Sequence, residues 1–259
     1  MHYKRQVIYY LGLPRTGSLS LFQYIESREK AHELDIDSII NTIYRTRNKQ
    51  IDNRIETFMY FLNLRKKNYD LEFDICTMYS FASREVLFAC PNDKYLCIIR
   101  PPMEWAHSFI RYSQMVFLDR KITYNSKFWQ LVADNINPVH TIRITNDIEA
   151  TADTINNLLE IWTTHVSEIL RYMPSYNSLL LKLDNINRNI NFLNTFLGTQ
   201  NITSSNIFPR ANSMRYLSTI KNKRSYKELI FMNKIDTIVS GHIAFDLYRS
   251  IPSVVFGSQ

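Results

Sequence analysis

The first residues of the chain whose types and spacing could do chemistry follow an apolar run at Val7–Leu11. The run leads into Gly12-Leu13-Pro14-Arg15-Thr16-Gly17-Ser18-Leu19, with a basic residue before the second glycine and a hydroxyl after it. A strand, a glycine-bearing turn and a helix start direct several backbone N–H groups at one point, which makes a phosphate cradle. The turn lacks the Gly-Lys-Ser/Thr ending of nucleoside triphosphatases. The segment therefore predicts a phosphate site of a different class.

A second strand, turn and helix carries a second pair of side chains suited to phosphate. The apolar run Lys94–Ile99 ends at Arg100, Pro102 suits the first turn of a helix, and Ser108 lies eight residues after Arg100. Open α/β sheets bind ligands at the carboxyl ends of their strands, where Arg100 stands. An arginine with a hydroxyl supplies charge, fork geometry and one extra donor.

Apolar strand-like segments alternate with helical ones along the chain. The pattern predicts strands over 6–13, 73–79, 94–99 and 178–183, and helices over 17–28, 35–67, 83–89, 102–118, 151–173, 186–197 and 225–249. This alternation predicts an α/β fold with a parallel sheet and helices on both faces. Because no boundary is evident, residues 1–259 are predicted to form a single domain.

Composition excludes several classes of protein. The net charge of +7 is spread along the chain, and no nucleic-acid motif accompanies its densest runs, Arg65-Lys66-Lys67 and Lys221-Asn222-Lys223-Arg224. No stretch approaches the ~18 apolar residues of a membrane span. The three cysteines have no metal-binding spacing and cannot all pair, which is typical of reduced thiols in the cytoplasm. We therefore expect no metal, no membrane and no nucleic-acid partner.

Together these segments resemble the sulfotransferases that use 3′-phosphoadenosine 5′-phosphosulfate. Pro14-Arg15-Thr16-Gly17-Ser18 matches the 5′-phosphosulfate loop of that family, Pro-Lys/Arg-Ser/Thr-Gly-Thr/Ser. Arg100 and Ser108 match its 3′-phosphate motif, and the stretch Leu179–Ile186 followed by Phe196-Leu197-Gly198 is similar to a third conserved segment. The three stretches occur in the order seen in the family.

The resemblance implies a P-loop-like three-layer fold with a central parallel sheet flanked by helices. It implies transfer of a sulfuryl group, without a metal, from 3′-phosphoadenosine 5′-phosphosulfate to a hydroxyl or amine, leaving adenosine 3′,5′-bisphosphate. Arg15, which is lysine in many relatives, would stabilise charge on the leaving oxygen. The loop from Pro14 through Thr16, Gly17, Ser18 and Leu19 would hold the 5′-phosphate.

The group that would take the proton of the acceptor departs from the family pattern. Many relatives carry a histidine on the strand that corresponds to 73–79, and this segment has none. Other branches place an acidic residue after the first helix, where this chain has His32-Glu33. Glu33 is therefore the first candidate for the base and His32 the second. Asp74 is a candidate acceptor ligand or a capping or surface residue, and His165 is interpreted as structural.

Two later segments complete the expected site. Arg210, in Phe208–Ser213, is the candidate for the third phosphate contact, which relatives take from a late loop. A plain surface loop is the alternative. Residues 119–150, polar and weakly periodic, are interpreted as a lid over a small-molecule acceptor. One hypothesis for that acceptor is a natural product such as a saxitoxin-type alkaloid.

Two other functions stay open. A small-molecule kinase or other nucleotide phosphotransferase would also use a phosphate loop, but its Gly-Lys-Ser/Thr ending and its strand-end acidic residue for magnesium are missing. A non-catalytic basic domain that binds nucleotides or RNA would explain the net charge of +7. It would not explain the spacing of Arg100 and Ser108.

Overall fold

The computed structural model describes residues 6–27, 29–118, 131, 148–198, 208 and 237–256. Contacts divide these residues into two compact units, one from the described parts of 1–100, 165–209 and 251–259, the other from those of 101–164 and 210–250. The single domain stays a prediction. The elements are β1 (Ile8–Tyr10), α1 (Ser18–Tyr24), β2 (Lys30–His32), α2 (Ile36–Thr46), α3 (Ile51–Tyr69), β3 (Phe73–Ile75), a 3₁₀ helix (Thr77–Ala82), α4 (Ser83–Ala89), β4 (Lys94–Ile99), α5 (Pro102–Leu118), α6 (Ile148–Tyr172), β5 (Ser178–Lys182), a 3₁₀ helix (Leu183–Asn185), α7 (Ile190–Leu197), α8 (Ile243–Ser250) and β6 (Val254–Phe256).

The first unit contains a six-stranded sheet in the order β2-β3-β1-β4-β5-β6. The pairs β2–β3, β3–β1, β1–β4 and β4–β5 are parallel, and β6 adds to β5 in the antiparallel direction. The five parallel strands therefore end at one edge of the sheet. That edge carries the β1–α1 loop, Glu33 and Arg100.

One face of the sheet packs against α1 and α7. Strand side chains such as Tyr10, Ile98 and Leu181 share a buried cluster with Leu21 of α1 and Leu193 of α7. Alternate strand residues point to this face because the side-chain period of a strand is two. The cluster fixes α1 on the sheet, and so places the loop that leads into it.

The opposite face packs against α3, α4 and the 3₁₀ helix Thr77–Ala82. Tyr9 meets Tyr79 edge-on with ring centroids 5.7 Å apart, and its ring stacks on Tyr95 at 6.2 Å. The Tyr95 hydroxyl donates to the carbonyls of Val86 and Leu87 in α4, each at 3.3 Å. Helices thus cover both faces, and the predicted three-layer α/β fold with a central, mostly parallel sheet is confirmed.

A buried ion pair joins α3 to β3 on this second face. Nε and Nη2 of Arg65 donate to the two carboxylate oxygens of Asp74 at 2.6 and 3.0 Å, and the Tyr79 hydroxyl donates to the same carboxylate at 2.8 Å. Arg65 is 3% exposed and Asp74 is 1% exposed. Asp74 is therefore a core residue, and neither the acceptor contact nor the surface role considered for it from the sequence fits its position.

The second unit contains α5, most of α6 and α8. The Trp105 N–H donates to Pro101 O at 2.8 Å as α5 begins at Pro102, where the sequence predicts a helix. Trp162 of α6 meets Tyr248 of α8 with ring centroids 6.0 Å apart. No described helix is long and apolar enough to cross a membrane.

The described elements differ from the sequence prediction in several places. The helix predicted over 35–67 is two helices, with a break between Thr46 and Ile51. The strand predicted over 73–79 ends at Ile75, and Thr77 begins a 3₁₀ helix. Neither β2 nor the antiparallel strand β6 was among the predicted strands. Residues 225–236 of the last predicted helix lie outside the described residues.

Replacing Arg65 with alanine should leave the Asp74 carboxylate buried without its cation. We expect the free energy of unfolding to fall by about 3–5 kcal/mol. Lys67→Ala, the matched control, removes a positive charge from an exposed position of the same helix and should cost no more than about 0.5 kcal/mol. Urea unfolding followed by circular dichroism measures both losses. Equal losses would show that the ion pair contributes no more than a surface charge.

Candidate active site

Thr16 makes hydrogen bonds inside the β1–α1 loop. Its amide donates to the carbonyl of Leu13 at 3.2 Å, and its hydroxyl lies 2.6 Å from the same carbonyl. The hydroxyl is also 2.7 Å from that of Tyr10, at the end of β1. These bonds fix the loop on the strand. A phosphate contact of the Thr16 amide, as predicted from the sequence, would have to share its bond to Leu13.

Gly12 leaves room for that bonding. A Cβ on Gly12 would lie 2.4 Å from the Tyr10 hydroxyl oxygen and 2.7 Å from Oγ1 of Thr16. Tyr10 is 1% exposed, so its rigid ring has no free space to move into. The first glycine of the loop is therefore required by the close approach of Tyr10 and Thr16.

The loop turns through two residues in the left-handed region. Arg15 has φ 73°, which a non-glycine residue rarely adopts, and Gly17 has φ 109°. Gly17 precedes α1 without a side-chain cap, and the Leu21 N–H donates to its carbonyl at 2.9 Å. The amides of Ser18 and Leu19 precede this bond and have no intrahelical acceptor. They are the donors best suited to an anion.

Arg100 approaches the same loop from the end of β4. Its Nη1 lies 3.5 Å from the carbonyl oxygen of Arg15, and both arginines are half-buried. The structure thus places the Arg100 guanidinium beside the backbone of the loop that carries Arg15. Ser108 is half-buried on α5 in the second unit, and its predicted partnership with Arg100 stays a prediction.

His32 ends β2 and faces the start of α1. Its Nε2 lies 3.3 Å from Oγ of Ser18, and its ring lies 5.5 Å from that of Phe22. Burial lowers the pKa of His32, and the charge of Glu33 offsets part of that shift. The imidazole is therefore neutral at pH 7 and placed to hydrogen-bond the Ser18 hydroxyl.

Glu33 follows His32 but is held on the β3 side. Its Oε1 accepts from the Thr77 amide at 3.1 Å and from the Thr77 hydroxyl at 2.7 Å, and its Oε2 accepts from the Cys76 thiol at 3.1 Å. Burial and the Glu33 charge both raise the pKa of Cys76, which keeps its thiol protonated. The two candidate bases thus have separate surroundings.

Residues 6–216 match the sulfotransferase domain family. The chain belongs to this family. Among solved structures, it is similar to the crystal structure of a sulfotransferase from Alicyclobacillus acidocaldarius, at 14% identity and a TM-score of 0.38, with 91% of this chain and 96% of that one covered. No curated protein matches the sequence.

Arg210 and nearly all of 119–150, the proposed third phosphate contact and lid, lie outside the described residues.

His165 is 4% exposed, with Nδ1 3.4 Å from Oγ of Ser83. Burial lowers the pKa of His165 to about 4, so it is a neutral core residue. In the described part of the chain, no three His, Cys, Asp or Glu side chains are grouped as a metal would need.

Sequence analysis missed Lys182 and Thr77. Lys182 ends β5, lies opposite Ile99 in the sheet and is only 8% exposed. Burial lowers the pKa of Lys182, and Asp184 offsets part of the shift. A lysine directly after the apolar run Leu179-Leu180-Leu181 was the available signal for a cation at this edge. Nothing in the sequence pairs Thr77 with Glu33.

Gly12→Ala should disrupt the loop without touching either arginine. The added methyl group would overlap the Tyr10 and Thr16 hydroxyls, and such overpacking costs about 1–3 kcal/mol. A fall in the thermal unfolding midpoint is the expected result. Gly241→Ala is the matched control because a Cβ there meets nothing within 4 Å. Equal midpoints for the two variants would contradict the close approach at Gly12.

Proposed function

We propose that this protein transfers the sulfuryl group of 3′-phosphoadenosine 5′-phosphosulfate to a hydroxyl or amine of a small molecule, leaving adenosine 3′,5′-bisphosphate. Membership of the sulfotransferase domain family supports transfer of a sulfuryl group. The observation that carries the choice of donor is the approach of Arg100, at the end of β4, to the Arg15 carbonyl of the β1–α1 loop, 3.5 Å away.

The residues at this edge fit such a donor. Its two anionic ends need two sets of cations and donors, and the edge supplies Arg15 with the loop amides and, separately, Arg100. The loop depends on both of its glycines, because a Cβ on Gly12 would overlap Thr16 and Gly17 has a φ of 109° that side chains rarely adopt. When bound, the donor supplies a sulfuryl group attached to a phosphate oxygen, and that oxygen is the leaving group.

Arg15 and the α1 amides stabilise the charge that develops on the leaving oxygen. Arginine keeps its proton, so its contribution is electrostatic. The left-handed backbone of Arg15 and the internal bonds of Thr16 hold the loop in shape before the donor binds. Ser18, oriented by His32, adds a hydroxyl to the amides of Gly17, Ser18 and Leu19.

Glu33 takes the proton of the acceptor's hydroxyl or amine as that group attacks the sulfur. The carboxylate stands at the end of β2, on the same edge as the loop, because β2, β3 and β1 are parallel. His32 is directed at Ser18 of the cofactor loop instead. The two residues left open by the sequence thus receive different roles: Glu33 as base, and His32 as the group that orients Ser18.

The three free, buried cysteines support a cytoplasmic location, where thiols stay reduced. For the acceptor, the proposal is limited to a small molecule with a hydroxyl or amine. A natural product such as a saxitoxin-type alkaloid stays a hypothesis.

Ligand-induced thermal stabilisation tests the donor class directly. Adenosine 3′,5′-bisphosphate with EDTA should raise the unfolding midpoint, since ligand at about 100 times its Kd stabilises by about 2.7 kcal/mol. ATP with magnesium should give a smaller rise. A larger rise with ATP and magnesium would favour the alternative nucleotide phosphotransferase and overturn the proposal.

Arg100→Ala should mainly weaken bisphosphate binding, and Arg15→Ala should mainly lower kcat. Arg100→Ala loses a charge-assisted contact to phosphate, so bisphosphate affinity should fall by about 1.5–3 kcal/mol. Arg15→Ala should lower kcat more than affinity, since its charge acts mainly in the transition state. Calorimetric titration and a ³⁵S-transfer assay over a panel of alcohols, phenols and amines measure the two effects. Unchanged affinity in Arg100→Ala, or unchanged kcat in Arg15→Ala, would remove that residue from its role.

Glu33→Gln should keep bisphosphate affinity and lose turnover. Removing a general base costs about 10²–10⁴-fold in rate. His32→Ala, compared with the same acceptor, should lose less turnover and more bisphosphate affinity, since its imidazole meets Ser18. Near-normal turnover in Glu33→Gln across the pH range would place the base elsewhere, or point to an acceptor that is already deprotonated.

A further inference from the structure

Both oxygens of the Glu33 carboxylate have a protein donor. Thr77 supplies its amide and its hydroxyl to Oε1, and Cys76 supplies its thiol to Oε2. Thr77 is 4% exposed and Cys76 is 0% exposed, while Glu33 is half-buried. The donors lie under the carboxylate and belong to the protein interior.

The two donors are themselves held in place. Thr77 begins the 3₁₀ helix, its carbonyl accepts from the Ser80 hydroxyl at 2.7 Å, and the Cys76 carbonyl accepts from the Tyr79 amide at 3.3 Å. Tyr79 is anchored in turn by its hydroxyl bond to Asp74 at 2.8 Å. These bonds hold the backbone of both donors in place beside Glu33.

The backbone of Glu33 is held as firmly as its side chain. Its φ of 54° lies in the left-handed region, which costs a non-glycine residue about 1–2 kcal/mol. Its amide donates to Ile75 O at 3.0 Å, and Nη2 of Arg65 donates to the next carbonyl, that of Leu34, at 2.7 Å. A non-glycine residue that the surrounding hydrogen bonds hold in a strained backbone conformation is typical of a functional position.

The two carboxylate oxygens differ in how strongly they are bound. Oε1 accepts from an amide and a hydroxyl, whereas Oε2 accepts from a thiol, which is a weak donor. We infer that Thr77 and Cys76 are positioning residues of the transfer reaction, which commit Oε1 to hydrogen bonds and leave Oε2 as the oxygen that takes the acceptor's proton. This inference rests on the proposed function.

The proton step balances with the groups named. The acceptor oxygen or nitrogen forms a bond to sulfur with its own electron pair, and the bond from sulfur to the phosphate oxygen breaks, with its electrons leaving on the bisphosphate. The acceptor's proton passes to Oε2, so Glu33 becomes a neutral carboxyl group. The Cys76 thiol keeps its proton throughout, since burial and neighbouring charge raise its pKa.

The titratable groups around Glu33 come from β1, from β2 and the residues after it, and from the end of β3. His32 precedes it on β2, Asp35 follows it, the Tyr10 phenol lies on β1, and Cys76 follows β3. The Asp74 and Arg65 charges behind Cys76 pair with each other. In the part of the chain that the structure describes, no cation pairs with Glu33, and Thr77 and Cys76 donate to its carboxylate.

Direct titration of Glu33 tests the inference without an acceptor. In protein labelled with ¹³C at the glutamate carboxyl carbons, the resonance that disappears in Glu33→Gln identifies Glu33. Thr77→Val keeps the shape of the side chain and removes one donor from the charged form, so the midpoint should rise by about one pH unit. Thr77→Ser keeps the hydroxyl and should restore the midpoint.

Cys76 variants should move the midpoint in opposite directions. Cys76→Ala removes the weak donor to Oε2 and should raise it, while Cys76→Ser supplies a stronger donor and should lower it. Cys76→Ser should also lower kcat with the best acceptor of the panel, because Oε2 becomes less basic. Bisphosphate affinity should stay unchanged in all four variants, which shows that each is folded.

Turnover separates positioning from a structural role. Thr77→Val should lose about 10- to 100-fold in kcat, whereas Thr77→Ser should stay near wild type. If Glu33→Gln abolishes turnover but Thr77→Val and both Cys76 variants leave midpoint and kcat unchanged, the inference is overturned and the proposed base stands. If Glu33→Gln itself keeps normal turnover, the base assignment and this inference both fail.

Discussion

The buried ion pair of Arg65 and Asp74 is the interaction on which the candidate base depends. Two nearly unexposed charges are costly unless they are paired and hydrogen-bonded, and here the Tyr79 hydroxyl also donates to Asp74 while the Leu34 carbonyl accepts from Arg65. Through these partners the pair connects α3, β3, the 3₁₀ helix after it and the turn after β2. The bond from Arg65 to the Leu34 carbonyl therefore helps to fix the left-handed turn that carries Glu33.

The phosphate loop is built on a second, smaller network. Tyr10, Gly12 and Thr16 pack so closely that the loop is shaped by contacts within itself and with the end of β1. Lys30 at the start of β2 contributes by donating to the Phe22 carbonyl of α1 at 2.7 Å, which joins α1 to the strand bearing His32. Strand order then places the loop, His32, Glu33 and Arg100 on one edge. Binding and proton transfer are thus supported by different bonds.

The sequence predicts the framework of this site better than its internal bonding. Apolar runs predict β1, β4 and β5, and the glycines with Arg15 predict the loop, because each of these signals lies within a few consecutive residues. The division of 35–67 into two helices and the short length of β3 depend on long-range packing, such as Arg65 against Asp74. The different surroundings of Glu33 and His32 come from the pairing of β2 with β3, which brings Cys76 and Thr77 beside Glu33. No local pattern in the chain encodes that contact.

A crystal structure with adenosine 3′,5′-bisphosphate bound tests the central claim most directly, since it shows which phosphate meets which arginine. We expect the 5′-phosphate on the amides of Gly17, Ser18 and Leu19 beside Arg15, and the 3′-phosphate against Arg100. The Glu33 carboxylate should still accept from Thr77 and face the sulfur side of the 5′-phosphate. A nucleotide bound away from the β1–α1 loop, or with its two phosphates exchanged between the arginines, would contradict these assignments.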